Sequence, residues 1–470
     1  MVCVNTNDNQ YSGYLKLPTF LPPNDTDGGL FYWFIEAESN PSAAPFVFWF
    51  QGGPGQSSLM GLFLEHGPFQ LNENGTSLLP RKFSWNKIVN IVYIESPLCV
   101  GFSSYPKDCS SSAEKAANLN YEAITSFFKK FSNYRHNSFF LAGESFGGMY
   151  VPTLTLRFLQ SEARKEYPNF EGFFVNDPYT DWGIMSMIAA LELNYRDEIT
   201  NEEKKGASLS KEEVECCVNN YTTCEYDCNY TQTIDVIFDR FEKSDISYYN
   251  LEGKCAADDP KIEKYVRNAY RLNVCINDYP ITHYLNNKEV KKAIHVQNIS
   301  KNWTPTSIPE VYSSFGVTTY GPENNILWKT YTELSTLMAK NDVRGLLAFG
   351  GKDMITNNYT AIMFLELTGF NATSCLNVFP EDGDDGTYME FGPISFMSVK
   401  SAGHYLAMDN AEIAFKLFRD FINNKAPSKG DCIENYRNRF FEKLSNGITL
   451  PQASGILCSI YILLLTFGLL

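Results

Sequence analysis

The sequence predicts an α/β fold in which helices cover both faces of a central, mainly parallel sheet. Short apolar runs alternate with longer segments from residue 11 to about residue 178, as in a chain that passes repeatedly through a parallel sheet. Val89 to Ile94 and Phe173 to Val175 are candidate central strands. The run Phe139 to Leu141 leads through glycines into a helix-compatible segment, and apolar runs return at Arg344 to Phe349 and at Ile394 to Val399.

A long polar stretch interrupts this pattern and indicates an insertion into the sheet domain. It contains charge runs such as residues 202–205, several cysteines and a helical segment from Thr233 to Lys243. An amphipathic helix from Ala411 to Asn423 is predicted to close the domain. We therefore predict the N-terminal part of the core at 1–178, an insertion or cap at 179–287, the C-terminal part of the core at 288–425, a linker at 426–454 and a hydrophobic tail at 455–470.

Length and composition fit one large domain with an insertion better than several small domains. The chain has 470 residues, of which 44% are hydrophobic, enough to bury a sizeable core. The formal net charge is −15, and nothing in the sequence resembles a basic face, so we expect no nucleic-acid partner.

The segment Gly143-Glu144-Ser145-Phe146-Gly147 has the G-x-S-x-G pattern of a nucleophile on a sharp strand-to-helix turn. Glycines flank the serine because side chains there would collide with neighbouring elements. Ser145 is therefore the candidate nucleophile. The pattern alone is weak, because it also arises by chance, and it needs an acid and a histidine later in the chain.

An acid and a histidine follow the serine in the required order. Asp353 follows the apolar run Leu346 to Phe349 through Gly350-Gly351-Lys352, and His404 follows the run Ile394 to Val399. Each alone would be interpreted as an ordinary turn aspartate or loop histidine. Together, in order, they predict a Ser-Asp-His triad.

Glycines also follow the strand-like run Phe46 to Phe50, within the segment Gln51 to Ser58. Such glycines leave backbone N–H groups free to stabilise a developing oxyanion. We predict that the N–H groups of Gly53 and Phe146 form this oxyanion hole.

The chain resembles the serine carboxypeptidase family, most closely its vitellogenic-like branch. The resemblance extends from about Tyr11 to Ile422 and rests on motifs in family order. They are QGGPGQSS at residues 51–58, GESFGGMYVP at residues 143–152, GGKD at residues 350–353 and GH at residues 403–404. The branch is indicated by Gln51, by EHGPF at residues 65–69 and by AIHV at residues 293–296.

The resemblance implies an α/β-hydrolase fold with a helical, disulfide-stapled cap, and a serine carboxypeptidase acting on peptide or protein C-termini without a cofactor or metal. It implies that Gln51, Glu144 and the Gly52 N–H bind the substrate's terminal carboxylate, and that Glu65 hydrogen-bonds to Glu144. A glutamate facing a carboxylate is attractive when they share one proton. Activity at acidic pH is therefore expected.

The chain departs from the family pattern at several positions. Gln51 is one methylene longer than the usual asparagine, Gln56 replaces a cysteine and Cys99 replaces a glycine. These changes leave the triad intact but could alter specificity or rate. Two alternatives therefore stay open: an acyltransferase on the same scaffold, and a catalytically silent surface glycoprotein that uses the fold as a binding module.

Twelve cysteines point to an oxidising compartment. Six of them fall in the predicted insertion: Cys216, Cys217, Cys224, Cys228, Cys255 and Cys275. We favour disulfides, with zinc at Cys224 and Cys228 as the alternative. The acidic turn at residues 381–386 lacks the pattern of a calcium loop, so no metal is expected. Eight glycosylation sequons add to the secretory interpretation: Asn24, Asn74, Asn220, Asn229, Asn298, Asn302, Asn358 and Asn371.

Both ends of the chain bear on its location. The N-terminus shows no signal peptide, and we expect that one is missing from this sequence. The uncharged stretch Gly455 to Leu470, with small residues upstream at Ser445 to Gly447, resembles a glycolipid-anchor signal. A retained membrane helix and a buried core helix are the alternatives. We expect the secretory pathway, with a lysosome-like or vacuole-like compartment or the extracellular space as destination, and leave a homodimer open.

Overall fold

The computed structural model describes most of the predicted core. The described residues are 9–21, 28–195, 216–217, 221–224, 228, 234–235, 246–254, 276–296, 301–307, 309–319, 321–378 and 386–425. The predicted linker, the C-terminal tail and most of the predicted insertion lie outside these ranges.

A ten-stranded sheet forms the centre of the molecule, in the order β1-β2-β6-β3-β7-β8-β11-β14-β13-β12. Its strands are β1 (Gln10–Leu15), β2 (Leu30–Ile35), β3 (Phe46–Phe50), β6 (Asn90–Ile94), β7 (Phe139–Glu144), β8 (Phe170–Asn176), β11 (Arg344–Gly350), β12 (Ser374–Val378), β13 (Gly386–Phe391) and β14 (Ile394–Val399). Two short antiparallel hairpins stand apart from it, β4 (Phe69–Leu71) with β5 (Leu78–Pro80), and β9 (Ile246–Ser247) with β10 (Asn250–Lys254).

The six central strands run parallel, from β6 through β3, β7, β8 and β11 to β14. Antiparallel strands occupy both edges, with β1 and β2 on one side and β12 and β13 on the other. The predicted mainly parallel sheet is thus confirmed. The carboxyl ends of parallel strands meet at one edge, where ligand sites of α/β folds lie.

Successive side chains of β3 pack into two different buried clusters, one on each face of the sheet. Phe46, Phe48 and Phe50 belong to one cluster of buried residues, whereas Val47 and Trp49 belong to the other. Side chains of a strand alternate between its two faces, and both faces are covered by helices. Because no face meets water, the run is apolar at every position.

Helices and short helical turns connect the strands. The α-helices span Ala113–Lys130, Gly147–Leu159, Ser161–Glu166, Trp182–Tyr195, Tyr279–Leu285, Lys288–Ala293, Pro309–Ser314, Ile326–Lys340, Asn358–Leu367, Leu406–Asp409 and Ala411–Ile422, with a π-helix at Gly61–His66 and 3₁₀ turns at Trp85–Lys87 and Ser132–Tyr134. The helix Ala411–Ile422 confirms the amphipathic helix predicted from Ala411 to Asn423. It begins where the Asn410 side chain accepts a hydrogen bond from the Ile413 N–H, an N-cap. The predicted helix Thr233 to Lys243 lies almost wholly outside the described residues.

Within the described part of the chain, three disulfides join Cys99 to Cys109, Cys216 to Cys224, and Cys217 to Cys228. The last two lie in the predicted insertion and use the cysteines for which zinc was the alternative. Cys99 has a φ of 71°, a conformation that favours glycine. Its N–H donates to the Ser104 carbonyl at 2.9 Å, which helps to hold this turn.

Among the helices in the described part of the chain, none combines the length and the apolar character needed to cross a membrane.

Candidate active site

Ser145 stands on a tight turn between β7 and the helix Gly147–Leu159. Its φ of 57° is unusual for a residue other than glycine. Backbone hydrogen bonds fix it: the Ser145 N–H donates to the Asn176 carbonyl at 3.0 Å, and the Ser145 carbonyl accepts from Gly148 and Tyr179 at 2.8 Å each. The turn thus has the geometry of a nucleophile elbow.

Close backbone approaches explain the glycines around this turn. A Cβ on Gly143 would lie 2.6 Å from the Phe50 carbonyl oxygen, and one on Gly148 would lie 2.3 Å from the Tyr179 oxygen. A Cβ on Gly52 would lie 2.7 Å from the Ser145 Cβ and 2.6 Å from the backbone nitrogen of Phe146. The Gly52–Gly53 loop is therefore packed against the serine turn, so the two predicted oxyanion donors come from neighbouring loops.

Asp353 and His404 are in direct contact. The Nδ1 atom of His404 lies 2.6 Å from Oδ2 of Asp353, and both residues are buried. They follow the adjacent parallel strands β11 and β14, whose loops approach so closely that a Cβ on Gly350 would lie 2.1 Å from the Gly403 carbonyl oxygen. Ser145 lies at the same sheet edge, at the end of β7. No hydrogen bond among the described residues joins it to His404.

Two contacts to this pair were not found from the sequence. The Thr356 hydroxyl donates to Oδ2 of Asp353 and lies 3.2 Å from Nδ1 of His404. The backbone carbonyl of Tyr249 accepts the backbone N–H of His404 at 2.8 Å. The ring centroid of Tyr249 lies 4.4 Å from the imidazole centroid of His404. Because Tyr249 belongs to the β9–β10 hairpin, part of the predicted insertion rests against the histidine.

Gln51, Glu65 and Glu144 form a buried polar cluster beside the serine turn. The amide nitrogen of Gln51 donates to Oε1 of Glu144 at 2.8 Å and to Oε1 of Glu65 at 3.3 Å. Its amide oxygen accepts the Trp49 indole N–H at 2.9 Å. The indole can only donate, so it turns the amide nitrogen toward the two carboxyl groups.

Burial sets the protonation of this carboxyl pair. Glu65 is 1% exposed and Glu144 is 0% exposed. Burial raises the pKa of Glu65 and raises the pKa of Glu144 well above its usual range, and the charge of Glu65 and its hydrogen bond to Glu144 raise the Glu144 pKa further. Two ionised carboxylates would repel each other here, so burial favours a pair that retains a proton, and the larger rise in pKa at Glu144 favours Glu144 as its carrier.

Glu95 forms a second buried acidic centre that the sequence interpretation missed. Its Oε1 accepts from the Ser57 hydroxyl and, at 2.8 Å, from the Trp303 indole, while its Oε2 accepts the Phe102 N–H at 2.5 Å. Burial, opposed by these hydrogen bonds, raises the pKa of Glu95 to about 7. Glu95 directly follows an apolar strand, the signal that identified Asp353. It anchors the glycine-rich segment through Ser57.

The predicted glycosylation sites differ in their surroundings. Asn74, Asn302 and Asn371 are exposed. Asn358 is half-buried, and its amide nitrogen donates to the Ser398 hydroxyl at 2.8 Å, so it is less suited to carry a glycan. The other four, Asn24, Asn220, Asn229 and Asn298, lie outside the described residues.

Comparison with known proteins identifies the family. The family model for serine carboxypeptidases matches residues 3–424. The lysosomal protective protein of Mus musculus is 28% identical over 461 residues, covering 88% of this chain and 90% of that protein. The serine carboxypeptidase ctsa-4.1 of Caenorhabditis elegans is 29% identical over 453 residues, covering 88% of this chain and 90% of that protein.

Similarity to a solved structure agrees with the fold. Kex1(delta)p, a prohormone-processing carboxypeptidase from Saccharomyces cerevisiae, superposes with a TM-score of 0.70 at 18% sequence identity, covering 89% of this chain and 91% of that one. At this identity the similarity concerns the fold. It supports the predicted α/β-hydrolase fold.

The Glu95 centre predicts pH-dependent stability. A carboxyl group whose pKa is raised from 4.5 to about 7 on folding stabilises the folded state fully below pH 4.5, and that contribution is lost as the pH rises through 7. In urea unfolding, wild type should lose up to about 3 kcal/mol relative to Glu95→Gln between pH 4 and pH 8. A constant difference between the two proteins over this range would show that Glu95 does not titrate.

Proposed function

The chain belongs to the serine carboxypeptidase family, and on this premise we propose that it removes C-terminal residues from peptides at acidic pH. The observation that carries the proposal is the buried cluster of Gln51, Glu65 and Glu144 next to Ser145. A general serine hydrolase has no need of two buried carboxyl groups beside its nucleophile. A carboxypeptidase must recognise a free terminal carboxylate, and a protonated carboxyl group can do so.

The chemical step would use three side chains and two backbone donors. His404 accepts the proton of Ser145 as the hydroxyl attacks the scissile carbonyl, and Asp353 holds the imidazole through Nδ1. The backbone N–H groups of Gly53 and Phe146 stabilise the oxyanion. His404 then protonates the leaving amine, an acyl-enzyme forms, and water releases the acyl group.

Substrate recognition would come from the neighbouring cluster. The Gly52 N–H and the proton of Glu144 would donate to the substrate's terminal carboxylate, and the Gln51 amide would turn one of its two N–H groups from Glu144 to that carboxylate. Glu65 keeps the other Gln51 N–H and so holds the amide in place. Gln51 already donates to both glutamates, which indicates that its extra methylene does not take the amide out of reach.

Binding of the terminal carboxylate would weaken as the pH rises. The pKa of Glu144 is raised by burial and by Glu65, so the proton needed for binding is present at acidic pH and disappears as the pH rises through the titration of the pair. The acidic optimum would therefore reside in substrate binding rather than in the triad.

A place in the secretory pathway, with a lysosome-like or extracellular destination, fits the three disulfides and the name of the mouse relative. Membrane attachment through the tail at residues 455–470, a homodimer, the vitellogenic-like branch and the five-part division of the chain remain proposals.

The basic activity can be tested with N-blocked dipeptides between pH 4 and pH 8. Wild type should release the C-terminal amino acid at acidic pH, and Ser145→Ala should reduce kcat by a factor of about 10⁴ or more, because it removes the nucleophile. Folding is checked by circular dichroism on both proteins. A folded, glycosylated wild type that is silent on every dipeptide would contradict the proposal.

The role of Glu144 can be tested with Glu144→Gln, whose amide is always neutral and cannot share a proton between two carboxylates. At pH 5, kcat/KM for a dipeptide acid should fall about 10-fold, mainly through KM, because an amide N–H donates a weaker hydrogen bond than a proton shared between two carboxylates. The decline of wild-type kcat/KM with rising pH should be absent in this variant. The matched dipeptide amide, which has no terminal carboxylate, serves as the control. An unaltered pH profile for the acid substrate would remove Glu144 from carboxylate binding.

A further inference from the structure

Asp177 is a buried acid behind the triad that the proposed mechanism does not use. It directly follows β8 and has a φ of 42°. Its N–H donates to the Ala348 carbonyl at 2.6 Å, and its Oδ1 accepts the Gly350 N–H at 2.9 Å. Asp177 is 0% exposed, and its Oδ2 atom has no hydrogen-bond partner among the described residues. The carboxyl group is thus held firmly at one oxygen and unsatisfied at the other.

The unsatisfied carboxyl group lies against the triad. A carboxylate oxygen of Asp177, a carboxylate oxygen of Asp353 and a ring nitrogen of His404 all lie within 4.8 Å of one another. Asp409 and Glu144 also face this region. Among the described residues, the charged groups that act on Asp177 include three acids, Asp353, Asp409 and Glu144, and the Tyr249 ring lies against His404. A second negative charge at Asp177 would have to be accommodated without solvent.

The electrostatic surroundings of Asp177 also favour its protonated form. Burial, followed by the charge of Asp353, raises the pKa of Asp177 well above its usual range. A carboxyl group that keeps its proton can donate a hydrogen bond, whereas an ionised one can only accept. Such a donor beside an acceptor carboxylate satisfies both groups at once.

We propose that Asp177 is a positioning residue that stays protonated and donates a hydrogen bond to the Asp353 carboxylate, so that Asp177, Asp353 and His404 together carry one negative charge. This inference rests on the proposed triad and deepens it. The hydrogen bond adds to the contacts that fix the orientation of the Asp353 carboxylate. Asp353 then presents a single oriented charge to the imidazolium that forms during catalysis.

Asp177→Asn is the decisive variant. Its amide oxygen can still accept the Gly350 N–H, its amide nitrogen can donate to Asp353, and asparagine tolerates a positive φ. The variant therefore reproduces the protonated acid. The chain has five histidines, so the His404 resonance can be assigned in nitrogen-15 histidine-labelled protein, with His404→Gln as the reference.

The titration midpoint of His404 shows whether Asp177 is neutral or ionised. If Asp177 is neutral, Asp177→Asn leaves the midpoint within about 0.2 pH unit of wild type. If Asp177 is ionised, the variant removes a neighbouring negative charge and lowers the midpoint, by about one pH unit, which would overturn the proposal. This readout requires no turnover, so it remains decisive even if the proposed peptidase activity fails with the dipeptides.

Kinetics test the positioning role itself. Asp177→Ala removes the donor and should lower kcat about tenfold on an N-blocked dipeptide, with KM little changed, while Asp177→Asn should restore kcat to within about threefold of wild type. An alanine variant that folds, as judged by thermal unfolding, and keeps wild-type kcat would overturn the proposal. If the alanine variant does not fold, the His404 titration of Asp177→Asn decides alone.

Discussion

Two carboxyl groups buried side by side, Glu65 and Glu144, impose the constraint on which the candidate site depends. Burying an ionised carboxylate without compensation is costly, and burying two together is costlier still. The molecule compensates with the Gln51 amide, which donates to both, and with a retained proton. A site that holds a proton in this way is suited to bind an anion, because an incoming carboxylate can share it.

The orientation of Gln51 shows how far this constraint extends into the fold. Trp49 points to one face of the sheet from β3 and donates its indole N–H to the Gln51 oxygen. The amide nitrogen is thereby directed at the carboxyl pair. Gly52 follows immediately and packs against the serine turn. One short segment after β3 thus carries the anchor of the carboxylate site and one predicted oxyanion donor.

The parts of the fold and site that could be predicted from the sequence follow from local chemistry. Apolar runs gave the central strands because those strands are buried on both faces. The glycines around Ser145 and the acid and histidine after β11 and β14 could be placed because strand ends and chain order constrain them. The Asp353–His404 contact fits that expectation. The family resemblance, confirmed by the comparisons, supplied the interpretation of Glu65 and Glu144.

The site residues that could not be predicted from the sequence depend on contacts between segments that are distant in the chain. Glu95 and Asp177 each follow an apolar strand, as Asp353 does, but the sequence cannot tell which acid turns inward and what it meets there. Tyr249 contacts His404 from a hairpin within the polar stretch that was predicted to be an insertion. Thr356 is an ordinary turn residue by sequence, and only the fold brings its hydroxyl into contact with both Asp353 and His404.

The central claim, that a proton held by Glu65 and Glu144 binds the substrate's terminal carboxylate, can be measured directly by calorimetry. An N-blocked dipeptide acid is titrated into Ser145→Ala at several pH values, in pairs of buffers with different ionisation enthalpies. The account predicts that almost no proton is taken up at acidic pH, and that uptake rises toward about one proton per site above the titration of the pair. Tight binding with no proton uptake between pH 5 and pH 8 would contradict it.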